Sequence, residues 1–96
     1  MLVLVSYDVS TETKSGCRRL RRVAKICLNY GQRVQKSVFE CKVTQILLEQ
    51  LKNELLDVIV EKEDSLRIYR ITEPLSKNLM EFGKFKAVDF ESTIIV

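Results

Sequence analysis

The chain has 96 residues and a mass of 11.2 kDa, enough for one hydrophobic core but not for separate catalytic and binding domains. Hydrophobic residues make up 46% and charged residues 30%, a globular composition that excludes disordered and collagen-like classes. There is no histidine, and the three cysteines form no C-x-x-C pair. A zinc site, a disulfide framework and a histidine-based catalytic pair are therefore not expected. We predict a single domain over 1–96 with buried, reduced thiols.

No segment of the chain resembles a membrane anchor. The longest apolar run is Leu2–Val5, and no basic stretch precedes it as in a secretory signal. We therefore predict a soluble, cytoplasmic protein that has no membrane partner.

The net charge of +3 is modest, but the charges are segregated along the sequence. Residues 14–36 contain eight cations and no acid, whereas residues 40–64 contain seven acids and three lysines. One sector should carry positive potential and another negative potential. This asymmetry predicts an anionic partner.

The first half of the chain predicts a strand and then a helix. The segment Leu2–Val9 is apolar and β-branched on both faces, which is typical of a central strand. A helix follows, capped by Thr13 or Ser15, and Gly31 is placed to end it in the left-handed conformation. The apolar side of this helix combines five residues: Leu20, Val23, Ala24, Cys27 and Leu28.

The second half of the chain predicts further β structure and a second helix. Residues 33–43 predict β structure, with a turn or bulge near Lys36 and Ser37. Thr44 caps a second helix, whose apolar stripe reaches Ile59. A strand over 66–71 follows, ended by Pro74. The order β-α-β-β-α-β predicts an α+β, ferredoxin-like sandwich.

Residues 75–96 form an extension beyond this fold. Its end, Ser92–Val96, is apolar and β-branched, and such a terminus frays unless another strand holds it. The segment predicts an extra C-terminal strand that pairs across a homodimer; pairing with the chain's own sheet edge is the alternative.

Two features point to chemistry. Asp8 ends the first strand, where its carboxylate is placed to bind Mg²⁺ or to make an Asx turn. The helix side opposite the apolar one carries Arg18, Arg21, Arg22 and Lys25, without acids at i+4. This side is either a solvated helix surface or a contact for nucleic-acid phosphates, which would relieve the repulsion between the cations. For Phe39, core packing is the default interpretation.

The segments 2–10, 18–25 and 30–41 together resemble the CRISPR-associated protein 2 family, closest to the subgroup of type I-C systems. They read LVLVSYDVS, RRLRRVAK and YGQRVQKSVFEC. The resemblance implies a ferredoxin-like homodimer that works with the CRISPR-associated integrase in spacer acquisition. It also implies metal-dependent cleavage of double-stranded DNA or single-stranded RNA, with Mg²⁺ or Mn²⁺ as cofactor.

The resemblance also assigns residues. It implies that Asp8 is the metal ligand and a catalytic residue, together with Tyr7. It implies that nucleic acid is bound by residues of the first helix and of the following strands: Arg18, Arg19, Arg21, Arg22, Lys25, Arg33 and Phe39. Three functions remain open: a nuclease, a non-catalytic dimer that binds duplex DNA and bridges integrase subunits, and a small-molecule sensor, which would leave the arginines unexplained.

Overall fold

The computed structural model describes residues 1–83, which form four strands and two helices. In chain order the elements are β1 (Leu2–Asp8), α1 (Lys14–Leu28), β2 (Gly31–Gln35), β3 (Val38–Lys42), α2 (Gln45–Leu56) and β4 (Ser65–Ile71). A short 3₁₀ helix, Leu75–Lys77, follows. The predicted order β-α-β-β-α-β is confirmed.

The sheet is antiparallel, with strand order β2-β3-β1-β4. β1 is therefore central, as predicted, and the α+β, ferredoxin-like fold is confirmed. One face of the sheet, which we call the helix face, presents Val3, Val5 and Tyr7 to the core shared with α1 and α2. The other, which we call the open face, presents the alternate β1 side chains.

Burial differs between the two faces. All three helix-face side chains of β1 are buried, but on the open face Leu4 and Ser6 are only partly covered and Asp8 is exposed. The prediction that β1 is buried on both sides is therefore wrong for the end of the strand, because both helices cover the helix face.

Helix α1 begins as predicted and ends differently. Thr13 is the N-cap, and its hydroxyl accepts a hydrogen bond from the Gly16 amide at 3.0 Å. The C-cap, Asn29, has right-handed helical angles, so the expected left-handed glycine is wrong. Gly31 instead starts β2, where a Cβ would lie 1.9 Å from the carbonyl oxygen of Glu40 on β3. Leu28 also departs from its predicted apolar side, with 55% of its surface exposed.

The predicted turn between β2 and β3 is present at residues 36–37, and a register irregularity follows Arg33. Helix α2 is capped by Thr44, as predicted, with its hydroxyl 3.2 Å from the Leu47 amide. Cys17, Cys27 and Cys41 are free thiols; the last two are buried and Cys17 is partly exposed.

No helix within residues 1–83 has the length and apolarity needed to cross a bilayer. The predicted strand Ser92–Val96, and the part of the extension after residue 83, lie outside the described residues.

Candidate active site and nucleic-acid interface

Asp8 lies at the end of β1 on the open face. Asp8 pairs with Ser65, the first residue of β4. This pairing places the Asp8 side chain where β1 ends and β4 begins. The carboxylate is exposed and makes no hydrogen bond or ion pair within residues 1–83. It is therefore available to an external cation, and the Asx-turn alternative finds no support.

The basic side of α1 is present as predicted. Arg18, Arg21, Arg22 and Lys25 are all exposed, on the side of the helix that points away from the sheet. None of these four side chains has an ion pair or hydrogen bond in the described part of the chain. We refer to these four residues as the basic surface. Its four cationic side chains are therefore available to bind phosphate groups.

Asp64 organises a buried cluster that the sequence did not reveal. Its carboxylate has no solvent-exposed surface, and it accepts two hydrogen bonds from Arg19, at 2.8 Å to Nε and 3.0 Å to Nη2. The Tyr7 hydroxyl donates to the same carboxylate, and the Val60 amide donates at 3.0 Å. One side chain therefore ties the end of β1, helix α1 and the loop before β4 together.

This cluster changes the interpretation of Tyr7. Its ring is buried on the helix face, whereas Asp8 lies on the open face, so the two side chains do not share a site. Burial and the hydrogen bond to Asp64 raise the pKa of Tyr7 to about 12. The phenol therefore stays protonated near neutral pH and holds Asp64 in the fold, and the catalytic role of Tyr7 stays a prediction.

Arg19, for which a phosphate contact is predicted, is engaged by acidic side chains of the same chain. Its side chain is 13% exposed, and its guanidinium is held in a two-point contact with Asp64 and a longer contact of 3.4 Å with Glu63. Burial acts to raise the pKa of Asp64, but the hydrogen bonds from Arg19, Tyr7 and Val60 outweigh it and hold that pKa below its ordinary value. Arg19 is thus the buried partner of a structural ion pair.

Two further assigned residues, Arg33 on the edge strand β2 and Phe39 on β3, are directly paired. Phe39 is 0% exposed, so its ring packs in the core and the predicted contact with nucleic acid is not available to it. The Arg33 guanidinium lies 5.5 Å from that ring and donates two hydrogen bonds to the Lys36 carbonyl, which closes the β2–β3 turn. Arg33 is exposed and keeps three N–H donors for other partners.

Sequence reasoning missed Asp64 and Arg67. Asp64 is one of the seven acids of residues 40–64, and no local pattern distinguishes one buried carboxylate among its exposed neighbours. Arg67 had a usable signal: in β4, Ser65, Arg67 and Tyr69 alternate with more apolar residues and so share one face.

The chain matches known proteins over most of its length. A family model described as CRISPR associated protein Cas2 matches residues 1–78. The chain belongs to the Cas2 family. Among curated relatives, CRISPR-associated endoribonuclease Cas2 1 of Moorella thermoacetica is 53% identical over the full length of both chains.

Two further relatives support the assignment. CRISPR-associated endonuclease Cas2 of Halalkalibacterium halodurans is 50% identical, over 99% of each chain. The crystal structure of Streptococcus pyogenes Cas2 at pH 6.5 superposes with a TM-score of 0.83 and 49% identity, covering 86% of this chain and 100% of that one. The fold and the family expected from the sequence are therefore confirmed.

Proposed function

We propose that this Cas2-family chain is a metal-dependent nuclease of CRISPR adaptation, which cleaves phosphodiester bonds of RNA or double-stranded DNA as a homodimer. The observation that carries the proposal is the Asp8 carboxylate, which is exposed at a strand end and makes no hydrogen bond or ion pair with residues 1–83. The relatives named endoribonuclease and endonuclease support the same class of reaction.

The residues of one chain fit a divalent cation in part. Mg²⁺ is usually held by one or two carboxylates and several waters, so a single free aspartate suits it. Within residues 1–83, no group of three or more acidic or thiol side chains could hold a metal ion. A second Asp8 from a partner protomer would complete a two-carboxylate site. When bound, Mg²⁺ or Mn²⁺ supplies positive charge at the phosphate and lowers the pKa of a coordinated water.

The side chains of the protein supply little acid–base chemistry of their own. The chain has no histidine, and Tyr7 holds its proton at neutral pH. Asp64 is occupied by Arg19 and by backbone and phenol donors. These observations favour a reaction in which Asp8 positions the cation and cationic side chains bind the substrate.

A second candidate is the non-catalytic bridge, in which a dimer binds duplex DNA and joins integrase subunits. The basic surface favours it, because its four exposed cations have no ion pair within the described residues and can bind phosphates whether or not cleavage occurs. Both functions use the basic surface, but only the nuclease needs Asp8. Cleavage of RNA and of duplex DNA by wild-type and Asp8→Asn protein, at matched purity, separates the two: activity that depends on Asp8 supports the nuclease.

The basic surface makes its own prediction about salt. For duplex DNA, log affinity falls linearly with log salt, by about 0.9 for each phosphate neutralised. The double variant Arg18→Gln, Arg22→Gln should reduce this slope by up to about 1.8 and weaken unrelated sequences equally. Fluorescence anisotropy at four or five salt concentrations measures the slope.

The matched control removes the same charge elsewhere. Lys62 and Lys77 are exposed and lie outside α1, so the double variant Lys62→Gln, Lys77→Gln should leave the slope close to that of the wild type. Equal slopes for the two double variants would contradict the phosphate contacts and would show that the basic surface is a solvated helix surface.

A further inference from the structure

A cation lies close to Asp8 on the open face. Because β4 pairs with β1 so that Arg67 is opposite Ser6 and Ser65 is opposite Asp8, Arg67 and Asp8 are diagonal neighbours on one face. Residues in this relation have Cα atoms about 7–8 Å apart, within reach of a long side chain.

Despite this placement, Arg67 and Asp8 do not form an ion pair. Within residues 1–83 the guanidinium of Arg67 contacts only the ring of Tyr69, at 5.3 Å, and Tyr69 is itself 43% exposed. A ring contact uses the face of the guanidinium and leaves its N–H donors free.

The other strand arginines are used by the fold. Arg33 donates to the Lys36 carbonyl, and Arg70 donates to the Gln45 side chain on α2 at 3.3 Å. Among the arginines of the described strands, Arg67 alone keeps its full set of donors. A planar fork of free donors matches the oxygens of a phosphate.

Beside a bound metal ion, a phosphate at Asp8 would be stabilised further by a cationic side chain of the protein. The carboxylate repels a phosphodiester, and the basic surface points away from the open face. We infer that Arg67, held in place by its contact with the Tyr69 ring, binds a non-bridging oxygen of the phosphodiester that is cleaved at Asp8. This inference rests on the proposed nuclease function and adds a substrate-binding residue to its site.

The test compares two arginines of one strand. Arg67→Gln and Arg70→Gln remove the same charge from β4, but Arg70 lies on the helix face, opposite Val3. In EDTA, with a short DNA duplex as probe, Arg67→Gln should reduce the salt slope of binding by about 0.9, the value for one phosphate. With Mg²⁺, its rate of cleavage should fall at least 10-fold, and its melting temperature should match that of Arg70→Gln. Arg70→Gln should keep the wild-type slope and rate.

Asp8→Asn, measured beside them, keeps this inference separate from the nuclease proposal. If Asp8→Asn is inactive while Arg67→Gln matches Arg70→Gln in slope and rate, the inference about Arg67 is overturned and the nuclease stands. If Asp8→Asn still cleaves, the proposed active site at Asp8 fails. The inference that Arg67 contacts a phosphate then stands if Arg67→Gln lowers the salt slope in EDTA, and is overturned if it does not.

Discussion

Asp8→Asn protein is expected to lose metal-dependent cleavage by about 100-fold or more, the scale on which one charge-stabilising group acts at an active site. The amide keeps the size of the side chain and its ability to hydrogen-bond but removes the charge that a divalent cation needs. Because Asp8 is exposed and makes no side-chain contact within residues 1–83, the fold should be unaffected. Duplex affinity in EDTA should not fall either, since the basic surface is unchanged.

A binding measurement accompanies the kinetic one. A ligand that binds only the folded state stabilises it by about 2.7 kcal/mol when present at 100 times its dissociation constant. Mg²⁺ should therefore raise the melting temperature of wild-type protein more than that of Asp8→Asn. In a dimer the effect includes relief of the repulsion between two carboxylates.

Asp57→Asn is the matched control, because Asp57 is an exposed aspartate at the end of α2 in the helix layer. It should cleave at the wild-type rate and respond to Mg²⁺ as the wild type does. Persistent cleavage by highly purified Asp8→Asn protein would contradict the proposed site. Loss of cleavage with spacer acquisition intact would assign the biological role to the bridge.

The second large effect concerns stability. Asp64→Ala should lower the free energy of unfolding by about 3 kcal/mol, because it leaves a largely buried guanidinium, a buried phenol and a backbone amide without their shared acceptor. In a domain of this size, each kcal/mol lowers the melting temperature by roughly 4–8 °C. Urea unfolding at pH 7 measures the change.

Glu63→Ala is the control for Asp64→Ala. Glu63 also contacts Arg19, at 3.4 Å, but its side chain is 63% exposed, and exposed ion pairs contribute about 1 kcal/mol or less. Equal stabilities of the two variants would contradict the role given to Asp64.

The cluster around Asp64 also predicts an acid dependence. Because the pKa of Asp64 is lower in the folded state, its contribution is complete above the unfolded value of about 3.9 and is lost as pH falls below it. The stability difference between wild type and Asp64→Ala should therefore narrow below about pH 4.

Periodicity predicted the fold because burial follows it closely in this chain. The sheet and the helices bury the residues that recur at period two and at helical spacing. The chain order of the elements, and caps such as Thr13 and Thr44, could therefore be predicted from local sequence. The predictions for Leu28 and Gly31 were wrong because the environment of each residue depends on segments that are distant in the sequence. The end of α1 leaves Leu28 outside the core, and Gly31 is needed for the close approach of β3.

The candidate site was only partly predictable for the same reason. Asp8 was identified correctly as an accessible carboxylate at a strand end. Tyr7 was assigned to the same site although neighbours in a strand point to opposite faces, a consequence of period two that the sequence already contained. Helical spacing separates Arg19 from the side that holds Arg18, but the ion pair of Arg19 could not be predicted, because its partner Asp64 lies 45 positions away.

The opposite directions of the basic surface and the open face bear on how a substrate reaches the chain. A straight duplex that lies along the basic surface of one chain cannot also reach Asp8 of that chain, because α1 and the sheet lie between them. If Asp8 acts on the nucleic acid that the basic surface binds, that nucleic acid must bend around the chain or contact the two surfaces on different protomers.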